Sequence, residues 1–128
     1  KHHVAFTATL TGDRSIGHHQ VVKYDRVLTN IGRAYNPWTG HFRARYSGIY
    51  LISCTAMSER GYESYMEIVK NHHVLTTLFS NSGTYPMSSQ TLVLRLRRGD
   101  RIWVWGRESH QVLNDNSNFN VFSGVLLY

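Results

Sequence analysis

The chain has 128 residues with eight Tyr, five Phe and three Trp, apolar material for one domain (1–128) that buries roughly two thirds of its unfolded surface. Nothing in it approaches the run of about 18 apolar residues that a membrane-spanning helix needs, and no basic-then-apolar leader opens it, so it reads as a mature soluble domain. Its net charge of +6 is carried by eleven Arg against three Lys, which suits either an ordinary soluble surface or an anionic partner held by bidentate guanidinium groups, such as a polyanionic glycan, a lipopolysaccharide or a nucleic acid.

No basic run exceeds Arg97-Arg98, which argues against a dedicated nucleic-acid groove. Cys54 is alone, so no intrachain disulfide forms, and its apolar surroundings read as a buried thiol. The chain contains no Asn-X-Ser/Thr glycosylation acceptor.

Taken in order, the segments read as short strands. Val4 to Leu10 is rich in β-branched and aromatic residues and stops at Thr11-Gly12-Asp13. Val21 to Leu28 predicts one or two strands before the turn at Asn30 to Gly32. Gly40 and Phe42 follow, and Phe42 to Tyr46 alternates with arginine up to Ser47-Gly48. Ile49 to Ala56 places Tyr50, Ile52, Cys54 and Ala56 on one face and Ile49 and Leu51 on the other, as expected of a strand covered on both sides. Tyr65 to Lys70 and Val74 to Phe79 predict a hairpin around Asn71-His72-His73. Gln90 to Arg97 turns Leu92, Leu94 and Leu96 to one face and Val93 and Arg95 to the other. Arg98-Gly99-Asp100 then leads into Ile102 to Trp105, and Asn118 to Tyr128 closes the chain, with Phe122 and Gly124 inside the core. About ten short strands with no helical period predict an all-β jelly-roll sandwich of two sheets.

These segments resemble the globular head of complement component C1q along essentially the whole chain. The resemblance rests on Val27-Leu28-Thr29-Asn30 with Gly32, Tyr35-Asn36-Pro37 with Thr39-Gly40-His41-Phe42, and Gly48-Ile49-Tyr50. Val69-Lys70-Asn71, Leu94-Arg95-Leu96 with Gly99-Asp100, Phe122-Ser123-Gly124 and Leu126-Leu127-Tyr128 complete it. It implies the ten-stranded jelly roll of the C1q and tumour necrosis factor superfamily, a tight trimer, secretion, and recognition rather than catalysis. No collagen-like Gly-X-Y stalk is present, so the chain is similar to an isolated head or to stalkless invertebrate members that act as lectins in innate immunity. Two departures stand out. Arg43-Ala44-Arg45-Tyr46 lacks the proline usual after Phe42. The loop that carries calcium ligands in calcium-binding members is here Ser80 to Pro86, without Asp, Glu or Gln, so an apical calcium site with its six to eight oxygens is not expected.

Arg98-Gly99-Asp100 spells an integrin-recognition tripeptide, but a Gly-Asp turn between two strands accounts for it. The histidine pairs at 2–3, 18–19 and 72–73 invite a zinc or copper reading, with His18, His19, His72 and His73 as candidates. Adjacent strand residues point to opposite faces, so one pair does not chelate alone, although copies in a trimer could meet on its axis. A carbohydrate site needs aromatic faces and planar polar groups. Ser58 to Tyr65, Trp105 to His110, Asn81 with Thr84 and Tyr85, and Asn114 to Asn118 offer that mixture in loops on a rigid sandwich. No nucleophile elbow, phosphate loop or His-Glu-x-x-His motif is present, so an enzyme is not expected.

The expected function is a secreted, extracellular homotrimer that binds microbial glycans or lipopolysaccharide without calcium. Arg60, Tyr62, Tyr85, Arg107 and His110 are its expected contacts, with Trp105 as a stacking platform. No nucleic acid and no membrane insertion is expected. The alternatives are a structural or matrix trimer with histidine-bound metal, and a receptor-directed ligand.

Overall fold

The computed structural model describes residues 1–108, 111–113 and 118–128, of which 111 and 112 by their backbone alone. The strands in chain order are β1 (Ala5–Thr9), β2 (Arg14–Ile16), β3 (Arg26–Ile31), β4 (Tyr35–Asn36), β5 (His41–Arg43) and β6 (Gly48–Met57). They continue as β7 (Ser64–Lys70), β8 (His73–Ser80), β9 (Met87–Leu96), β10 (Arg101–Gly106), β11 (Gln111–Leu113) and β12 (Val121–Leu126). Ten of them form two five-stranded sheets, in the orders β3-β1-β12-β6-β9 and β4-β5-β10-β7-β8, and β2 pairs with β11 as a separate ribbon. Every ladder is antiparallel. This is the jelly roll that the strand spacing predicts.

Alternation along the strands builds the core between the sheets. Tyr50, Ile52, Cys54 and Ala56 of β6 are buried, as expected, and meet Phe6, Phe42, Ile68, Val104 and Phe122 from the other strands. Phe122 lies edge-on to Phe6 at 4.9 Å between centroids. The closing strand therefore runs through the middle of the first sheet. Ile49 and Leu51 are only half-buried on its outer side, so the chain by itself covers one face of β6 and not both. Leu92 and Leu94 pack on the core while Val93 points outward.

Val21 to Leu28 departs from the expected strand, because pairing on the first sheet starts only at Arg26. Val21 bridges to Trp105, and the Val22 amide donates to the Val104 carbonyl at 2.8 Å, both on the second sheet. The segment crosses from one sheet to the other, so no single ladder spans it. Val22 and Tyr24 are nevertheless fully buried. The short strands β2, β4 and β11 lie beyond the reach of periodicity, because three residues or fewer carry no repeat.

Strand register sorts the loops to two ends. Met57 pairs with Met87, Ser64 with Ser80, and Gly106 with Met66. The segments 58–63, 81–86 and 107–108 thus share one end, called apical below. Asn120 closes the core there: its side chain accepts from the Met57 amide at 2.9 Å and donates to the Met57 carbonyl at 3.4 Å. The turns 32–34, 44–47, 71–72 and 97–100 gather at the opposite end. There Gly99 donates to the Ala44 carbonyl and Arg43 to the Ala34 carbonyl, both at 2.8 Å.

Candidate functional site

The apical loops are tied to one another by backbone bonds. The Gly61 amide donates to the Gly83 carbonyl at 2.9 Å, and the Ser58 amide to the Pro86 carbonyl at 2.9 Å. Within the first loop, the Ser58 hydroxyl donates to the Glu63 carbonyl at 2.8 Å, and the Tyr62 amide to the Glu59 carbonyl at 3.0 Å. Arg60 is exposed, and Tyr62 and Tyr85 keep 42% and 46% of their surfaces in solvent. Three of the expected contacts thus stand exposed on two loops cross-linked by two amide bonds.

Arg107 lies at the same end, one residue beyond β10. Its amide donates to the Tyr65 carbonyl at 3.0 Å. Its guanidinium lies 4.7 Å from the centre of the Tyr65 ring and donates to the Tyr65 hydroxyl, while Phe79 packs edge-on against the same ring at 4.7 Å. The side-chain nitrogen Nε sits 4.0 Å from the Glu108 carboxylate. A guanidinium spread over an aromatic face keeps its charge and loses little orientational freedom on meeting an anion. Tyr65 was missed as the partner of Arg107, because only the β10–β7 register, with Gly106 opposite Met66, brings the two together. His110 and the segment 114–117 lie outside the described residues.

Trp105 sits apart from the two tyrosine loops, half-buried on the outer face of the second sheet. Its indole nitrogen donates to the Glu67 carboxylate at 2.9 Å, and the His19 ring stacks on it at 4.1 Å and 9°. The side of the indole that His19 covers is closed to a sugar ring. His18 stacks in turn on His19 at 3.9 Å, and its Nδ1 lies 2.6 Å from the Arg107 carbonyl. The two rings share one side because His19 occupies the left-handed region with φ 56°, so the alternation of a strand does not apply to them.

His72 turns its ring edge-on to Trp103 at 4.9 Å, and His41 stacks on the same indole at 4.3 Å. Burial, followed by the nearby Arg101 and His72, holds the His41 imidazole below its ordinary pKa. Among the described residues no three His, Cys, Asp or Glu side chains come together as a metal site would require. Of the candidate pairs, His18 and His19 stack on one another, whereas His72 packs on Trp103 and His73 pairs with Lys70 at the start of β8.

Arg98-Gly99-Asp100 is a turn. Gly99 takes φ +95°, and the Asp100 amide donates to the Arg97 carbonyl at 3.0 Å. The Asp100 carboxylate accepts from the Arg97 amide at 2.8 Å and from the Asn71 side chain at 3.0 Å, with Lys70 at 3.8 Å. The Arg97 amide bond is the main influence that holds this carboxyl below its usual range. The aspartate braces two turns and is already engaged.

The C1q domain family profile matches residues 5–127. The chain is 30% identical over 129 residues to the mouse protein named complement C1q tumor necrosis factor-related protein 3, covering 98% of this chain and 51% of that one. It is 26% identical over 133 residues to a human complement C1q subcomponent, covering 98% of this chain and 50% of that one. The chain thus spans about half the length of the curated relatives it matches. Among solved structures, the globular domain of zebrafish complement 1qA superposes with a TM-score of 0.82 at 21% identity, covering 98% of both chains. The family profile covers both sheets and every strand described above, and the chain belongs to the C1q domain family.

Proposed function

We propose that this domain is a secreted, non-catalytic recognition module that acts as a homotrimer and binds microbial surface glycans, or other anionic surface groups such as those of lipopolysaccharide, without calcium. The observation that carries the reading is the apical end: Arg60, Tyr62 and Tyr85 on loops cross-linked by two backbone bonds, beside Arg107 on the Tyr65 ring. Tyrosine faces suit the apolar side of a sugar, and planar guanidinium groups suit its carboxylate, phosphate or sulfate substituents. The loop 80–86 has no carboxylate to hold a hard cation. Among the relatives, complement subcomponents carry an immune role in their names, which supports the same direction.

The trimer finds support in the outer face of the first sheet. Ile31, Val93 and Met87 keep 54%, 64% and 49% of their surfaces exposed there, and an apolar sheet face of this kind suits coverage by a second copy.

A glycan array probed with the purified domain, with and without chelator, tests the reading. Binding to carboxylated or phosphorylated microbial glycans that survives chelator and is lost in R60A/R107A is expected. Silence across neutral and acidic glycans overturns it.

A further inference from the structure

Far from the apical loops, the opposite end of the second sheet carries a row of arginines. Strand alternation turns His41, Arg43 and Arg45 outward while Phe42 and Ala44 are buried, so successive outward residues stand roughly 6.6 Å apart. Arg101 of β10 is held directly opposite Arg43 of β5. One groove of about 290 Å³ is lined by Arg33, Arg43, Arg45 and Arg101 together with Asn36 and His41. A neighbouring groove of about 220 Å³ shares Arg43 and Arg45 and adds Tyr46 and Arg98. Among the described residues, no carboxylate lines either groove. The ion pairs of the described residues, Arg14–Asp25, Lys70–Asp100 and Arg107–Glu108, use none of these guanidinium groups.

Two features here cost the isolated chain stability. Like charges directly opposite in an antiparallel pair repel, and Arg43 faces Arg101. Arg33 occupies the left-handed region with φ 51°, where glycine or asparagine sits with less strain. Its carbonyl accepts from the Arg45 guanidinium at 2.8 Å, which draws the two arginines together. The Arg43–Arg101 repulsion is offset by none of the ion pairs of the described residues, which points to an anionic partner outside the fold.

The second observation is Trp38, 82% exposed beside the groove residue Pro37. Its turn is rigid. The Trp38 amide donates to the Asn36 side chain at 2.8 Å, the Gly40 amide to the Asn36 carbonyl at 2.8 Å, and the His41 amide to the Thr39 hydroxyl at 3.2 Å. An indole displayed on a fixed turn is a platform for the apolar face of a pyranose ring.

We propose that this end of the domain is a second ligand site, independent of the apical loops, which binds a linear sulfated polysaccharide. Its sulfate groups lie along Arg33, Arg43, Arg45, Arg98 and Arg101, and one sugar ring stacks on Trp38. Two adjoining grooves with shared arginines suit a chain of several anionic groups better than a single ion. A single-stranded nucleic acid would need successive free aromatic faces for its bases, whereas Trp103 is buried beneath His41 and leaves Trp38, among the described residues, as the one exposed indole beside the groove.

Calorimetric titration of a heparin-derived hexasaccharide into the purified domain tests the assignment. Binding is expected to weaken about tenfold in R43Q/R101Q, severalfold in W38A, and with added salt, and to persist in R60A/R107A. The hexasaccharide should raise the Tm of the parent and not that of R43Q/R101Q, and this variant should melt no lower than the parent, because it removes a repulsion. The proposal is overturned if R43Q/R101Q binds as tightly as the parent. Equal weakening by R26Q/R95Q, which removes the same charge elsewhere, also overturns it, as does equal binding of a charge-matched single-stranded DNA.

Discussion

At Gly40 the backbone has φ +76°, and a Cβ there would lie 2.6 Å from the Val22 carbonyl oxygen and 2.8 Å from Val21 Cγ1. The obstacle is backbone, so it does not swing away. Gly40→Ala combines a left-handed conformation with overpacking and should cost about 2–4 kcal/mol, read as a fall in the urea midpoint with unchanged m. One residue on, His41 makes stability depend on pH. Its folded pKa lies below the ordinary value of 6.5, chiefly through burial. As pH falls through that value the unfolded chain takes up the proton first, so the unfolded state gains and stability drops. Tm should therefore fall between pH 7.5 and 5.5, and His41→Phe, which retains a ring on Trp103, should flatten that fall. An unchanged slope would exclude His41 as its source. Asp25 and Asp100, both held below their usual carboxylate value of 3.8, titrate in a lower window and do not interfere.

Among the elements, β12 shows how a chain end becomes core. It lies between β1 and β6, with Phe122 paired to Ala8 on one side and Cys54 on the other. The Phe122 side chain is fully buried against Phe6, Tyr24 and Tyr35. Phe122→Ala should cost about 3–5 kcal/mol in chemical unfolding, with a loss near zero excluding a central position for this strand. The alternation of β6 and β9 was legible in the sequence, because each runs ten residues and a period of two repeats there several times. The β7–β8 hairpin was legible from its turn, where Asn71 and His72 both take positive φ. The ribbon of β2 and β11 was not legible. Its partners are about a hundred residues apart, and neither is long enough to carry a pattern.

For the whole molecule, the exposed outer face of the first sheet leads to a prediction of assembly. Sedimentation should give three times the 14.8 kDa of one chain, and Val93→Asp should shift the population toward folded monomer, because it sets a charge on that face. A parent that sediments as monomer at micromolar concentration would remove the trimer from the proposed function. The candidate apical residues Arg60, Tyr62, Tyr85 and Arg107 were recognisable by type, since loops rich in Tyr and Arg announce themselves in composition. Their arrangement was not. It depends on the Gly61–Gly83 bond between two loops and on the Tyr65 ring beneath Arg107.

What the sequence determined by itself was the class of fold and the family, because alternating burial and turn residues are local, and their order along the chain is specific. The tertiary structure alone decided which side chains meet. It laid His19 over Trp105, set Arg43 opposite Arg101, and gathered around Pro37, the neighbour of Trp38, arginines drawn from both sides of the β4–β5 hairpin and from the start of β10. Those neighbours come from pairing between distant strands, and the spacing of residues along one strand carries no record of which strand will lie beside it.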